Sequence, residues 1–113
     1  MTTFKKIKVC FILIFVFVNV FYSAPSFSLS SREDFFKNAL DLSSAGEFNL
    51  ALQEWNRYLD SYPNDAAGLS NRGNVRLVIG DIEGSIDDQN KAISLNPSEI
   101  DPYINRGIAE EAL

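Results

Sequence analysis

The sequence predicts an all-α fold in which antiparallel helix pairs repeat and stack as an α-solenoid, preceded by a hydrophobic N-terminal segment. Three observations carry this. From Ser31 onward the chain matches itself at an offset of 34 residues, so that Asn71-Arg72-Gly73 returns as Asn105-Arg106-Gly107 (105 − 71 = 34). Residue size recurs with it: Ala39, Gly73 and Gly107 are small, Ala51 and Ser85 are small, and Phe35, Leu69 and Tyr103 are large. Turn residues recur too, at Gly46 and Gly80 and at Pro63 and Pro97. A fixed period of this length marks units that cannot bury their apolar faces alone and do so by stacking.

Residues 1–28 come first and read as a signal peptide or an N-terminal membrane anchor. Lys5, Lys6 and Lys8 form a basic start, an apolar stretch runs from Val9 to about Tyr22, and Ser23, Ala24, Pro25, Ser26 and Ser28 supply small residues. That is the three-part layout of a secretory signal, with an apolar core short of the roughly 20 residues a span needs. Cleavage after Ala24 would place bulky Tyr22 where a small residue is preferred; cleavage after Ser26 or Ser28 leaves Ala-Pro-Ser or Ser-Phe-Ser. Cleaved or not, the lysines stay on the cytosolic side. The rest is then exported (periplasm, thylakoid lumen or extracellular space) or anchored with its repeats on the non-cytosolic side. Cys10 precedes the apolar core, where a lipidated cysteine would follow it, and reads as an inert membrane-buried residue.

Charge and composition exclude much chemistry. The chain holds 10 Lys+Arg and 15 Asp+Glu; three lysines and no acid precede Arg32, which leaves 7 (10 − 3) against 15, a net charge of −8 from there on. Nucleic acid is a poor partner for such a surface, because phosphate contacts need clustered Lys and Arg. There is no histidine and one cysteine. Without the leader, zinc sites of the Cys/His kind, Cys-His and Ser-His-Asp catalysis, and disulfides are all excluded. No metal, cofactor or catalytic residue is expected.

The helices follow in order. The first runs from about Arg32 to Ala45, with Ser31 and Asp34 at capping-box spacing and Gly46 as the left-handed residue that ends it. The second runs from about Phe48 to Ser61 and stops before Pro63, which disfavours helix in the residue ahead of it. Asp65 opens the third, which reaches Ile79 and ends at Gly80. Asp81 caps the fourth, which reaches about Leu95 ahead of Asn96-Pro97. Ser98 and Asp101 repeat the capping-box spacing, and the fifth runs on to Leu113.

Phe35, Ala39, Gly46, Ala51 and Pro63, then Leu69, Gly73, Gly80, Ser85, Ala92 and Pro97, then Tyr103 and Gly107, make this chain resemble the tetratricopeptide repeat. In that family each unit has a large residue early in helix A, a small one four later, a glycine between the helices, small residues on helix B and a closing proline. The resemblance implies units at 32–65 and 66–99 and helix A of a third at 100–113. It is loosely similar in flavour to exported or membrane-associated tetratricopeptide proteins of bacteria and plastids.

The departures from the family pattern are Arg72 and Arg106, where an apolar residue is usual, and Arg76 and Gln89, the latter aligned with Trp55 (89 − 55 = 34). The second unit's seam is therefore expected to be more polar than the first. The arginines are expected to fill inter-repeat positions and pair with acids drawn from Asp87, Asp88, Glu110 and Glu111; the alternative is that they grip an acidic partner.

The resemblance further implies a concave groove lined by the A helices that binds a protein or peptide partner. By family geometry its lining is Phe36, Leu40 and Ser43, then Ala67, Ser70, Asn71, Asn74, Leu77 and Val78, then Asp101, Ile104 and Asn105. Some members clamp a C-terminal carboxylate with lysines and asparagines; here Phe36, Leu40 and Asp101 stand at three of those places, which argues against chaperone-tail clamping. Trp55, spaced with Leu52 and Leu59, reads as core. The acid-rich run Asp81–Asp88 reads as acids at a helix N-terminus and lacks the calcium-loop pattern, since its sixth residue is Ile86 and its twelfth Ala92.

By the same period the next turn glycine falls at residue 114 (80 + 34), one beyond Leu113. The expectation is thus a fragment of a longer product, of marginal stability, with a low and broad thermal transition; a sharp one above about 60 °C would argue for a complete chain. The function expected is a non-enzymatic interaction scaffold. The alternatives are a repeat appendage of an enzyme encoded further on, and self-association through the unpaired third helix A.

Overall fold

The computed structural model describes residues 30–113; the segment read above as a signal or anchor, Cys10 included, lies outside the described residues. Five helices follow: α1 (Arg32–Ser44), α2 (Phe48–Ser61), α3 (Ala66–Val78), α4 (Ile82–Leu95) and α5 (Asp101–Glu111). Among the described residues there is no strand, and no helix is long and apolar enough to cross a membrane.

Local signals set the ends. At α1 the capping box forms: the Asp34 amide donates to Ser31 Oγ (3.3 Å) and the Ser31 amide to Asp34 Oδ2 (2.8 Å). Asp65 caps α3 by accepting from the Gly68 amide (3.1 Å), and Asp81 caps α4 by accepting from Gly84 (3.0 Å). Gly46 and Gly80 take φ of +77° and +92°. Each closes the same terminating motif, in which the following amide reaches back to a last-turn carbonyl: Glu47 to Leu42 (3.0 Å) and Asp81 to Arg76 (2.8 Å).

The second capping box does not form. The helix begins at Asp101, its N-cap Ile100 makes no side-chain cap bond, and Ser98 Oγ instead donates to Asn96 Oδ1 (2.9 Å). Pro102 is the reason. With Ser98 as cap, Pro102 would stand at the fourth helical position and owe the Ser98 carbonyl an amide it lacks. Starting at Asp101 puts Pro102 in the first turn, where that amide is not needed. The last helical residues also fall one or two short of expectation, at Ser44, Val78 and Glu111.

Each helix packs on the next, and α1, α3 and α5 also touch in turn, whereas α2 and α4 do not meet. The stack therefore curves with α1, α3 and α5 on its inner side. The apolar core lies in the first unit and its junction with α3. Trp55, Ala39 and Ala51 are fully buried there, with Tyr58, Leu59, Leu69 and Val75 nearly so. Phe36, Trp55 and Tyr58 meet edge to face, with centroids 5.0 to 5.8 Å apart.

The α3–α4 seam is more polar, as expected. Gln89 occupies the position of Trp55 and is fully buried, as is Ser85, while Asp88 is nearly so. Asp88 accepts from Arg72 Nε at Oδ2 (2.9 Å) and Nη2 at Oδ1 (2.7 Å), and Arg76 Nη1 lies 3.0 Å from the same Oδ2. Arg72 Nη1 also donates to Asn56 Oδ1 (3.1 Å), and one period on Arg106 donates to Asn90 Oδ1 (2.9 Å). Arg72 and Arg106 thus reach the preceding unit, but through Asn56 and Asn90; contrary to expectation the ion pairs with Asp88 lie within the second unit and Arg76 stays within it. Of the four acids considered, Asp88 and Glu110 are partners, Glu110 at 3.7 Å from Arg106; among the described residues Asp87 and Glu111 form no ion pair.

Gly73 lets α3 and α4 approach. A Cβ there would lie 2.6 Å from Gln89 Nε2 and 3.2 Å from the Ser85 carbonyl, whereas one at Gly107 would meet nothing within 4 Å. Gly73→Ala is expected to cost about 1–2 kcal/mol, overpacking outweighing the helix gain. Gly107→Ala should raise stability by up to about 1 kcal/mol, since only the helix preference remains. Thermal melts of the two variants followed by circular dichroism check the opposite signs.

Candidate peptide-binding groove

Two clefts open on the inner face. The larger, about 390 Å³, lies between α3 and α5 and is floored by Ala67, Ser70, Asn71, Asn74, Asp101 and Asn105. Its remaining wall, Ala66, Asn96, Glu99 and Pro102, comes from the start of α3, the α4–α5 turn and the start of α5. The smaller, about 230 Å³, lies between α1 and α3 against Leu40, Ser43, Asn71, Asn74 and Val78, with Ser44, Phe48 and Val75 completing it. Asn71 and Asn74 belong to both, so the two form one trough along the stack.

Most residues expected in the groove are therefore brought together. Phe36 is placed differently: it packs on Trp55 and Tyr58 and borders a separate hollow of about 220 Å³ with Arg32 and Glu33. Leu77 and exposed Ile104 border neither inner cleft. Ser43 lines the trough but is already engaged, accepting from Trp55 Nε1 (2.9 Å) and donating to the Ala39 carbonyl (2.8 Å). Asn96 and Glu99 were missed because they lie outside the A helices. Their signal was the Asn96-Pro97 turn, which ties Glu99 Oε1 to Asn96 Nδ2 (3.3 Å) at the mouth of the larger cleft.

Beside the trough, Asp65 ties α1, α2 and α3 together. It accepts from the Tyr58 hydroxyl and from Arg32, whose Nε also donates to that hydroxyl (3.0 Å). Burial by itself would raise the Asp65 carboxyl, but the Tyr58 hydroxyl, the Gly68 amide and Arg32 outweigh it and hold it below its ordinary value. Burial, with donation to Asp65, pushes the Tyr58 hydroxyl up. A depressed carboxyl contributes stability above the unfolded value and loses it as pH falls through the folded one. Stability should therefore drop as pH falls below roughly 4. Asp65→Asn, which keeps a capping oxygen, should flatten that limb in urea titrations run from pH 2 to 7.

No protein-family model matches the chain, and no curated protein matches it. Solved structures do. The first tetratricopeptide domain of Spaghetti (RPAP3), bound to the HSP90 peptide SRMEEVD, superposes at a TM-score of 0.69 with 21% identity, over 72% of this chain and 64% of that one. The TPR2B domain of yeast Sti1 in its pHsp70 complex gives 0.69 and 25%, over 72% and 65%. The TPR2AB domain of yeast Sti1 in its pHSP90 complex gives 0.69 and 21%, over 96% and 40%. The chain has the tetratricopeptide-repeat fold. It spans about two thirds or less of the length of these tetratricopeptide structures. Its larger inner cleft is lined by no lysine or arginine.

Proposed function

We propose that this tetratricopeptide chain is a non-enzymatic interaction scaffold that holds an extended peptide, or a peptide-like segment of a protein, along the trough of α1, α3 and α5. The observation that carries it is the continuity of the two clefts through Asn71 and Asn74. Such a concavity offers a partner polar groups at several depths and apolar contact at Leu40 and Val78. Three solved structures similar to it are complexes, one with an HSP90 peptide and two with pHsp70 and pHSP90, which supports the mode of binding. Ala67→Trp should test it, since exposed Ala67 lines the cleft and a large ring there fills it. Peptides selected on the full chain from a randomised library should bind this variant at least tenfold more weakly, at unchanged helical content. Unchanged affinity would refute the groove.

Residues 1–28, in this reading, export the repeats or anchor them to a membrane. Expressed in a bacterium, the chain should yield either a mature form beginning at residue 27 or 29 by intact mass, or a membrane-bound form. In both cases protease added to spheroplasts should digest the repeats. Repeats that stay protected would sink the export reading.

A further inference from the structure

We infer that the cleft between α3 and α5 accepts a cationic side chain, lysine or arginine, of the bound peptide. This rests on the peptide-binding reading above and adds the chemistry of the occupant.

The hydrogen bonds already made decide what the cleft has left to offer. Asn71 Nδ2 faces the Ala67 carbonyl (2.9 Å), which can only accept, so its amide orientation is forced and Oδ1 remains. Gln89 Nε2 donates to the Ser70 carbonyl (3.0 Å) and to Asn74 Oδ1 (3.2 Å), which leaves Asn74 one free group, its Nδ2. Asn105 Nδ2 donates to Ser70 Oγ (3.3 Å), which leaves its Oδ1. Glu99 spends one oxygen on Asn96. Asp101, exposed, makes no side-chain hydrogen bond or ion pair among the described residues. The groups left wholly free are the Asn71 and Asn105 amide oxygens, the second Glu99 oxygen and the Asp101 carboxylate, against the Asn74 Nδ2; the other side-chain donors, the Ser70 hydroxyl and the second hydrogens of the bonded amides, are all neutral. An ammonium brings three donors and a guanidinium five, and neither brings an acceptor.

The same cleft is unfit for an anion. The start of α5 opens on it, and a helix N-terminus ordinarily attracts negative charge through its free amides. Here Pro102 has no amide hydrogen, and the Tyr103 and Ile104 amides donate to the Ile100 carbonyl (3.0 and 3.3 Å). Asp101 adds a negative charge at that end. With no lysine or arginine on the wall, a carboxylate entering would meet two like charges and no cation to offset them. Charge complementarity favours a basic segment, and the net charge of −8 from Arg32 onward adds long-range attraction for it.

The test uses the full chain in detergent micelles and an array of randomised, acetylated and amidated nonapeptides. Selected peptides should be enriched in Lys or Arg at one position, and citrulline or norleucine there should weaken binding at least tenfold. The double variant Glu99→Gln with Asp101→Asn, on the surface and outside the core, should lose the same preference while keeping its helical signal. Selected peptides without basic residues, or a double variant that discriminates as the parent does, would overturn the inference and leave the peptide-binding reading standing. An array that yields no binder would overturn both.

Discussion

Trp55→Ala is expected to destabilise the repeats by about 3–5 kcal/mol, the usual cost of emptying a buried aromatic site. Trp55 is fully buried, and its ring meets Phe36 and Tyr58 edge to face. It is also where the first unit's two helices and the start of the groove converge, because its Nε1 donates to Ser43 Oγ at the trough wall. The loss is comparable to the whole stability of a small domain, about 5–15 kcal/mol, so the variant should be largely unfolded near body temperature. Trp55→Phe keeps an aromatic ring and loses the hydrogen bond; a cost of about 1–2 kcal/mol is expected. Since Trp55 is the chain's one tryptophan, circular dichroism in urea, rather than fluorescence, should measure both. A Trp55→Ala variant as stable as the parent would show that the core lies elsewhere.

The second large effect is expected at Asp88→Ala, at about 3 kcal/mol, the lower end for breaking a buried ion pair by removing one partner. The lower end applies because the Arg72 and Arg76 side chains keep 18% and 23% of their surface exposed and can turn outward. The carboxylate itself is only 5% exposed, so salt should screen the loss little. Asp88→Asn keeps one acceptor and should fall between. Replacing Asp88, Arg72 and Arg76 together by leucine should recover most of the loss, since apolar groups of similar size leave no charge unpaired. Denaturant midpoints at low and high salt measure all three. A triple variant as unstable as Asp88→Ala would mean that the charges themselves, rather than their pairing, hold the seam.

The helix ends show how far local signals reach. Ser31, Asp65 and Asp81 cap as their type and position predict, and Gly46 and Gly80 take the positive φ that other residues resist. At Ser98 the same reading fails, although the spacing is equally good, because Pro102 would then fall at the first position that owes an intrahelical amide bond. The conflict was visible in the sequence; weighing the proline over the cap would have moved the helix start to the right place.

Side-chain destinations were harder to read. Phe36 occupies a groove position by family geometry yet turns onto Trp55 and Tyr58, since burying a ring on two others gains more than exposing it to the trough. Asn96 and Glu99 reach the larger cleft from a turn that the helical period does not describe. The polarity of the second seam was legible from Gln89 and the arginines, but the choice of Asp88 over its neighbour Asp87 was not. Adjacent residues on a helix point about 100° apart, and only the packing of α4 against α3 decides which of them faces inward.

The sequence by itself therefore determined the period, the five helices and most of their ends, because caps, glycines and prolines act within a few residues of where they stand. The tertiary structure alone decided which arginine meets which acid, which aromatic leaves the groove for the core, and which amide oxygens the larger cleft keeps free. Those depend on side chains well separated in the chain, 15 residues at Gln89–Asn74 and 35 at Asn105–Ser70. Only the packing of helix on helix, within a pair for the first and between pairs for the second, brings them within hydrogen-bond reach.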